Sequence, residues 1–306
     1  MTTLMIRDFR PEDAEAVATA HRAGREHLVQ APEVFVWLNA RQAKGEHYRT
    51  FVAELDGRVV GSVRCAVVIG TTTRGIGHAN GSVLPEYRRR GAFTALLAAA
   101  ERHLTEHGVV EVHSWVDDEP GPRAFAEARG FAAGRTAHFG GRELARPLPE
   151  APPLPAGVEL RPASAWAADP RPVFEVEADA ILDEPGEVVM DAADYDEWLA
   201  GEWHSPAFDA DLSVVAVVDG RPAAFTAVHT DGDRYWSAFT ACRRDFRGRG
   251  LAKLAKRESL GLAREAGLSH AYTSNDATNA PMLAINAWLG YERCASERKF
   301  IKRLDG

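Results

Sequence analysis

Arg247-Gly248-Arg249-Gly250 alternates two guanidinium groups with two glycines, directly before Leu251-Ala252 and a helical pattern that runs to Glu265. Glycine lets the backbone bring its N–H groups close to a ligand, and the first turn of a helix carries N–H groups that lack intrahelical acceptors. Arginine adds fixed charge and a forked donor matched to phosphate oxygens. The chemistry implied is the cradling of an anion such as a pyrophosphate. The stretch lacks the Gly-Lys-Ser/Thr ending of a nucleotide P-loop. A related stretch lies upstream, where Val83 is followed by Arg88-Arg89-Arg90-Gly91-Ala92, with Phe93 in the position of Ala252.

Both loops need a strand before them and a helix after them. Tyr235 to Ala241 and Gly75 to Val83 have the apolar character of strands, and Leu251 to Glu265 and Phe93 to His107 that of helices. Strands at His270 to Ser274 and Val109 to Val116 follow the two helices. Two hairpins turn at Asp56-Gly57 and Asp219-Gly220, a dipeptide suited to tight turns. Helical segments are expected at about 171–180 and 192–202, and a closing pair of strands within Phe131 to Leu144. Ile6-Arg7 corresponds to Leu160-Arg161, Asp56-Gly57-Arg58 to Asp219-Gly220-Arg221, Gly91 to Gly250, and Gly130-Phe131 to Gly290-Tyr291. These offsets lie between 154 and 163 residues, so the chain reads as a tandem repeat of one domain. Five prolines in 147–157 mark an extended linker, which sets expected domains at 1–146 and 158–306. A length of 306 residues suits two such cores.

The run from Thr240-Ala241-Cys242 to Ala252, with the later Asn279-Ala280-Pro281-Met282 and Leu289-Gly290-Tyr291, resembles the GNAT superfamily of N-acetyltransferases. Tandem-domain members of mycothiol synthase-like layout are similar to it in length. The resemblance implies an α/β (α+β) fold of two tandem GNAT-like domains, each a mixed, splayed sheet flanked by helices. It also implies acetyl-coenzyme A as co-substrate, with its pantetheine arm between splayed strands. On that basis Phe239, Thr240, Ala241 and Cys242 would pair with the pantetheine. Arg247, Gly248, Arg249, Gly250, Leu251 and Ala252 would hold the pyrophosphate, and Asn275 and Asn279 would stand close to the arm. For Asn279 the alternative is an N-cap bonded to Met282.

In the first half Val83, Arg88, Arg89, Arg90, Gly91 and Ala92 match the same pattern, but Phe93 departs from its Gly or Ala. Three uses stay open for this half: binding the coenzyme in catalysis, binding it idly, or serving as a scaffold. Many members carry a tyrosine, four residues before the Gly-Phe, that protonates the leaving thiolate. That position is Asn286 in the second half and Ala126 in the first. Asn286 can donate a hydrogen bond but not a proton at neutral pH. His229, Asp231 and Asp233 could each receive the amine's proton, and none is singled out.

The net charge of −8 disfavours nucleic acid as a partner. Thirteen Asp and Glu and no Lys or Arg lie between Glu175 and Asp211, so this segment outweighs the whole net charge. There Phe174, Tyr195, Trp198, Trp203 and Phe208 interleave with Asp183, Glu184 and Glu187. Aromatic faces with carboxylates suit a cationic amine, and those three acids are the expected acceptor ligands. The expected activity is N-acetyl transfer, by direct attack, to the primary amine of a small metabolite or antibiotic. The alternative is a non-catalytic acyl-coenzyme A sensor or scaffold. Three unpaired-looking cysteines, no apolar run of membrane length and no leader pattern suit a cytoplasmic monomer or homodimer without a metal site.

Overall fold

The structure is a computed structural model and describes residues 3–41, 43–181, 191 and 194–304. In chain order its elements are β1 (Leu4–Asp8), α1 (Ala14–Arg22), α2 (Pro32–Ala40), β2 (Arg49–Leu55), β3 (Arg58–Val67), β4 (Ile76–Val83), α3 (Ala92–Glu106), β5 (Glu111–Asp117), α4 (Pro120–Glu127) and β6 (Ala132–Glu143). There follow β7 (Val158–Pro162), α5 (Arg171–Ile181), α6 (Tyr195–Trp198), β8 (Val214–Val218), β9 (Arg221–Asp231), β10 (Arg234–Cys242), α7 (Leu251–Glu265), β11 (His270–Asp276), α8 (Ala280–Trp288) and β12 (Glu292–Arg303). No helix among the described residues is long and apolar enough to cross a membrane.

The chain forms two compact units, Met1–Ala137 with Ala295–Gly306, and His138–Cys294. The first unit's sheet runs β1-β2-β3-β4-β5 and is completed by the last part of β12, whose Glu297 to Arg303 pair antiparallel with Asp117 to Glu111. Phe300 on that strand is fully buried in the first unit's core, with Leu96, Leu104 and Val112. The second unit's sheet runs β7-β8-β9-β10-β11 and is completed beyond β11 by the last part of β6. Arg142 on that strand donates to the Leu289 carbonyl and Cys294 Sγ to that of Phe139. The structural division therefore departs from 1–146 and 158–306, because each closing strand is supplied by a segment distant in sequence.

The expected pair of strands between Phe131 and Leu144 is a single strand, β6. Gly140 and Gly141 lie within this strand for reasons of space. A Cβ on Gly140 would stand 3.2 Å from the Tyr291 Cβ, and one on Gly141 would stand 3.1 Å from the Tyr272 ring. The expected helix at 192–202 is a short turn of helix, α6, continued by a wider π-helical turn over Leu199–Trp203.

In the second unit, Leu251, Leu254, Ala255, Ser259 and Ala263 form the buried stripe of α7, at the three- and four-residue spacing of one helix face. Leu260 and Ala263 meet Val228, Tyr235, Ala271 and Leu289 on one side of the sheet. On the other side Val173 and Val176 of α5 meet Val215, Val217, Phe225 and Ala227. The sheet is thus packed by helices on both faces.

Candidate active site

β10 and β11 run parallel and pair only from Arg234↔His270 to Ser237↔Thr273. Ala238 is then an extra residue in β10, since Ser237 pairs with Val228 of β9 but Phe239 with the next residue, Ala227. From Phe239 to Cys242 the strand follows β9 alone. A bulge bends the strand that carries it, and here it turns β10 away from β11. The result is a wedge along which β10 shows unpaired backbone groups to β11, as a peptide-like ligand arm requires.

At the wedge's mouth the chain makes a short 3-10 turn, Arg244–Phe246, and then the Arg-Gly loop. Gly248 and Gly250 have φ of +77° and +76°, left-handed values that disfavour any side chain. Arg247 Nε donates to the Cys242 carbonyl at 3.1 Å and pins the loop to the strand end. The first backbone bond of α7 is Leu254 N–H to Gly250 O at 3.0 Å. The N–H groups of Leu251, Ala252 and Lys253 therefore have no acceptor within the helix. Those N–H groups, beside Arg247 and Arg249, can hold an anion such as a pyrophosphate.

Asn275 and Asn279 do different things. Asn286 Nδ2 donates to Asn275 Oδ1 at 2.6 Å, so these two residues hold each other on the β11 side of the wedge. Asn286 Oδ1 is buried and has no hydrogen-bond partner among the described residues. Asn279 Oδ1 accepts from Met282 N–H at 3.3 Å and caps α8.

The first unit builds the same loop. Arg88 Nε donates to the Val83 carbonyl at 3.1 Å, matching Arg247, and Gly91 has φ +83°. Arg89, in the place of Gly248, takes φ +63° at a cost of about 1 kcal/mol or more. Its wedge is filled, however. β4 and β5 pair only from Ile76↔Glu111 to His78↔His113. Beyond that rung Ser114 Oγ donates to the Ala79 carbonyl at 2.6 Å, and Trp115 N–H donates to Asn80 Oδ1 at 2.7 Å. The Phe93 ring would lie 3.0 Å from a Cβ on Gly81, and it packs 5.4 Å from Phe125. In the second unit Ala238, Phe239, Ser274 and Asn275 occupy the matching positions, and among the described residues no side-chain bond of theirs crosses the wedge.

On the α5 side of the second sheet lies a cavity of about 140 Å³, lined by Glu177, Trp198, Glu202, Trp203, Phe208, Phe225, Ala227, His229, Ala238 and Phe239. The aromatic residues expected together do meet: Phe174 and Trp198 lie 5.4 Å apart, Trp198 and Trp203 5.5 Å, and Trp203 and Phe208 5.0 Å. Trp198 Nε1 donates to Glu177 Oε2 at 2.9 Å, and His229 Nε2 stands 3.9 Å from Glu202 Oε2. Burial pushes His229 down to about 4, so its imidazole is neutral at pH 7. Asp231 pairs with Arg234, and neither it nor Asp233 lines the cavity. Asp183, Glu184 and Glu187 lie outside the described residues. Glu177 and Glu202 were not singled out in the sequence, since they are two acids among thirteen.

Comparison with known proteins identifies the family and the fold. The model of the acetyltransferase (GNAT) family matches residues 14–131 and 175–291. A mycothiol acetyltransferase of Nocardioides sp. is 28% identical over 245 residues, 74% of this chain and 78% of that protein. One of Brachybacterium faecium is 34% identical over 160 residues, 49% of this chain and 44% of that protein. A tandem GNAT protein from the clavulanic acid biosynthesis pathway has a TM-score of 0.73 at 23% identity, covering 99% of both chains. A GCN5-related N-acetyltransferase from Sphaerobacter thermophilus has a TM-score of 0.70 at 21% identity, covering 98% of this chain and 95% of the other.

Proposed function

The chain belongs to the acetyltransferase (GNAT) family, with acetyl-coenzyme A as co-substrate, and from that membership we propose that its second unit acetylates the amine of a small cationic molecule. One observation carries the reading. Ala238 and Phe239 belong both to the open edge of the wedge and to the lining of the aromatic cavity. A thioester held along β10 therefore presents its carbonyl where the cavity ends. The loop from Arg247 to Ala252 seats the pyrophosphate, and wedge-facing backbone N–H groups of β10 polarise the thioester carbonyl.

The acceptor enters as an ammonium ion between the faces of Trp198 and Trp203 and the carboxylates of Glu177 and Glu202. Before attack it must lose a proton. Neutral His229 lines the same cavity and relays that proton towards Glu202, 3.9 Å away, and solvent. The neutral amine then attacks the carbonyl directly, with no acetyl-enzyme. Asp183, Glu184 and Glu187 add to the field that draws the cation in. At 28% identity the acceptor of the mycothiol acetyltransferases is one candidate among amines rather than an assignment.

The test is a panel of primary amines incubated with acetyl-coenzyme A, with free thiol followed over time and products weighed by mass spectrometry. Acceptor-dependent thiol release supports the transferase. The rival reading, an acyl-coenzyme A sensor, is favoured by Asn286 in the place of a tyrosine. It predicts coenzyme binding with no such release from any amine.

A further inference from the structure

Lys256 is the least expected residue of the second unit. It lies on α7, is 1% exposed, and no carboxylate among the described residues pairs with it. Its Nζ stands 3.3 Å from Thr273 Oγ1 and 5.5 Å from the centre of the Tyr291 ring. A buried ammonium without a counter-ion is costly, and a purely structural position would be better filled by methionine or leucine. Thr273 is the residue of β11 on the last rung shared with β10, at the apex of the wedge. Two residues further, on the same face of the strand, Asn275 holds Asn286. The wall of the wedge is thus backed at alternate positions of β11 by Lys256 and by Asn286. Among the described residues neither Asn286 Oδ1 nor the Tyr291 hydroxyl, both buried, has a hydrogen-bond partner, which leaves this wall polar and unsatisfied.

We propose that Lys256, acting through the Thr273 hydroxyl, delivers the proton that the leaving thiolate takes up in acetyl transfer. This rests on the reading of the second unit as the transferase. The amine's lone pair forms the C–N bond, and the C–S bond breaks with its electron pair going to sulfur. Thr273, whose hydroxyl at rest donates to the Ser237 carbonyl at 3.5 Å, turns its proton to sulfur and recovers one from the Lys256 ammonium. The proton lost by the amine leaves on the cavity side, and the lysine is recharged from solvent once the thiol has left the wedge. The assignment explains how the site dispenses with a tyrosine. Burial lowers Lys256 to about 7, which makes it a stronger acid than an ordinary thiol of pKa about 8.5. Among the described residues the neighbouring ionisable groups are Tyr235, pushed up to about 12, Tyr291, also pushed up, and the Arg142 guanidinium beside Tyr291, and none of them competes near neutrality.

The test compares the parent with Lys256→Met, Thr273→Val and Thr273→Ser. Lys256→Met should lower kcat about 10²- to 10³-fold. The KM for acetyl-coenzyme A should stay within about threefold, and the melting temperature should hold or rise. Thr273→Val should act likewise, and Thr273→Ser should restore most of the rate. The parent's kcat should fall as pH rises through the lysine's ionisation, and Lys256→Met should lose that limb. A kcat that survives Lys256→Met, or one that falls only together with the melting temperature, overturns the proposal. A second readout needs no turnover: the thiol of bound coenzyme A, titrated by thiolate absorbance, should ionise at lower pH in the parent than in Lys256→Met. Equal values overturn the role of Lys256 even if no acceptor has been found, whereas absent turnover with a shifted thiol indicts the transferase reading instead.

Discussion

Ser237 and Thr273 face each other across the last rung that β10 and β11 share, and one residue beyond it the sheet divides. Their counterparts in the first unit, His78 and His113, hold the same place on β4 and β5. Beyond those histidines, however, Ser114 and Asn80 close the gap with two hydrogen bonds. One chain therefore carries an open wedge and a filled one behind loops of the same form.

Coenzyme stoichiometry follows from that contrast. Calorimetric titration should give one acetyl-coenzyme A per chain. Gly250→Asp places a carboxylate in a left-handed position facing the phosphates and should weaken binding tenfold or more, about 1.4 kcal/mol. Gly91→Asp in the first unit should leave the titration unchanged. Two equivalent sites, or an unaffected Gly250→Asp, would refute the assignment.

The filled wedge should matter to stability. Asn80→Ala leaves the Trp115 N–H without its acceptor, and Ser114→Ala strips the Ala79 carbonyl, a loss of about 1–3 kcal/mol for each buried group. Thermal unfolding should show both variants destabilised, with coenzyme affinity in the second unit intact.

Acceptor charge should appear in KM. Glu177→Gln and Glu202→Gln should each raise the KM of a cationic amine several-fold, while affinity for coenzyme stays near that of the parent. Amide replacements at Asp183, Glu184 and Glu187 should act more weakly, and their effect should fade with salt, which screens exposed charge over about 8–10 Å. A KM indifferent to all five changes would return the acidic segment to the role of a solvated face.

His229 should make stability depend on pH. Its pKa falls from 6.5 when unfolded to about 4 when folded, so between these values the unfolded chain binds more protons. Stability is then full above 6.5 and is lost as pH falls towards 4, by up to about 3 kcal/mol. His229→Gln should flatten that part of the profile in denaturant melts at pH 4.5 and 7. The same variant should lower kcat with the acceptor saturating.

The Arg-Gly loop is legible in sequence because its requirements are local. Left-handed backbone asks for glycine, and anions ask for arginine at a helix start. Even the first unit's departure was visible as Phe93, although its meaning depended on Gly81 lying beneath the ring. The cavity was less accessible, since Glu177 on α5, Glu202 beyond α6 and His229 on β9 meet only when both helical segments fold over the sheet. Lys256 was invisible for the opposite reason. A lysine in a helix is ordinarily a surface residue, and only packing shows this one inside. The exchanged closing strands defeated sequence reasoning because the repeat's landmarks keep chain order whichever sheet each strand joins.

That exchange has a consequence for how the protein is made. The ladder between β5 and β12 joins Asp117 to Glu297 and Glu111 to Arg303, so the first unit's sheet awaits a strand synthesised long after β5. Ribosomes extend a chain at about 5–20 residues per second, so the first unit spends about ten seconds or more with the edge of β5 bare after its own residues have emerged. An ordinary N-terminal domain folds while its successor is still being translated. Here the first unit stays unfinished for that interval, and the cell must shelter an exposed strand until β12 has emerged.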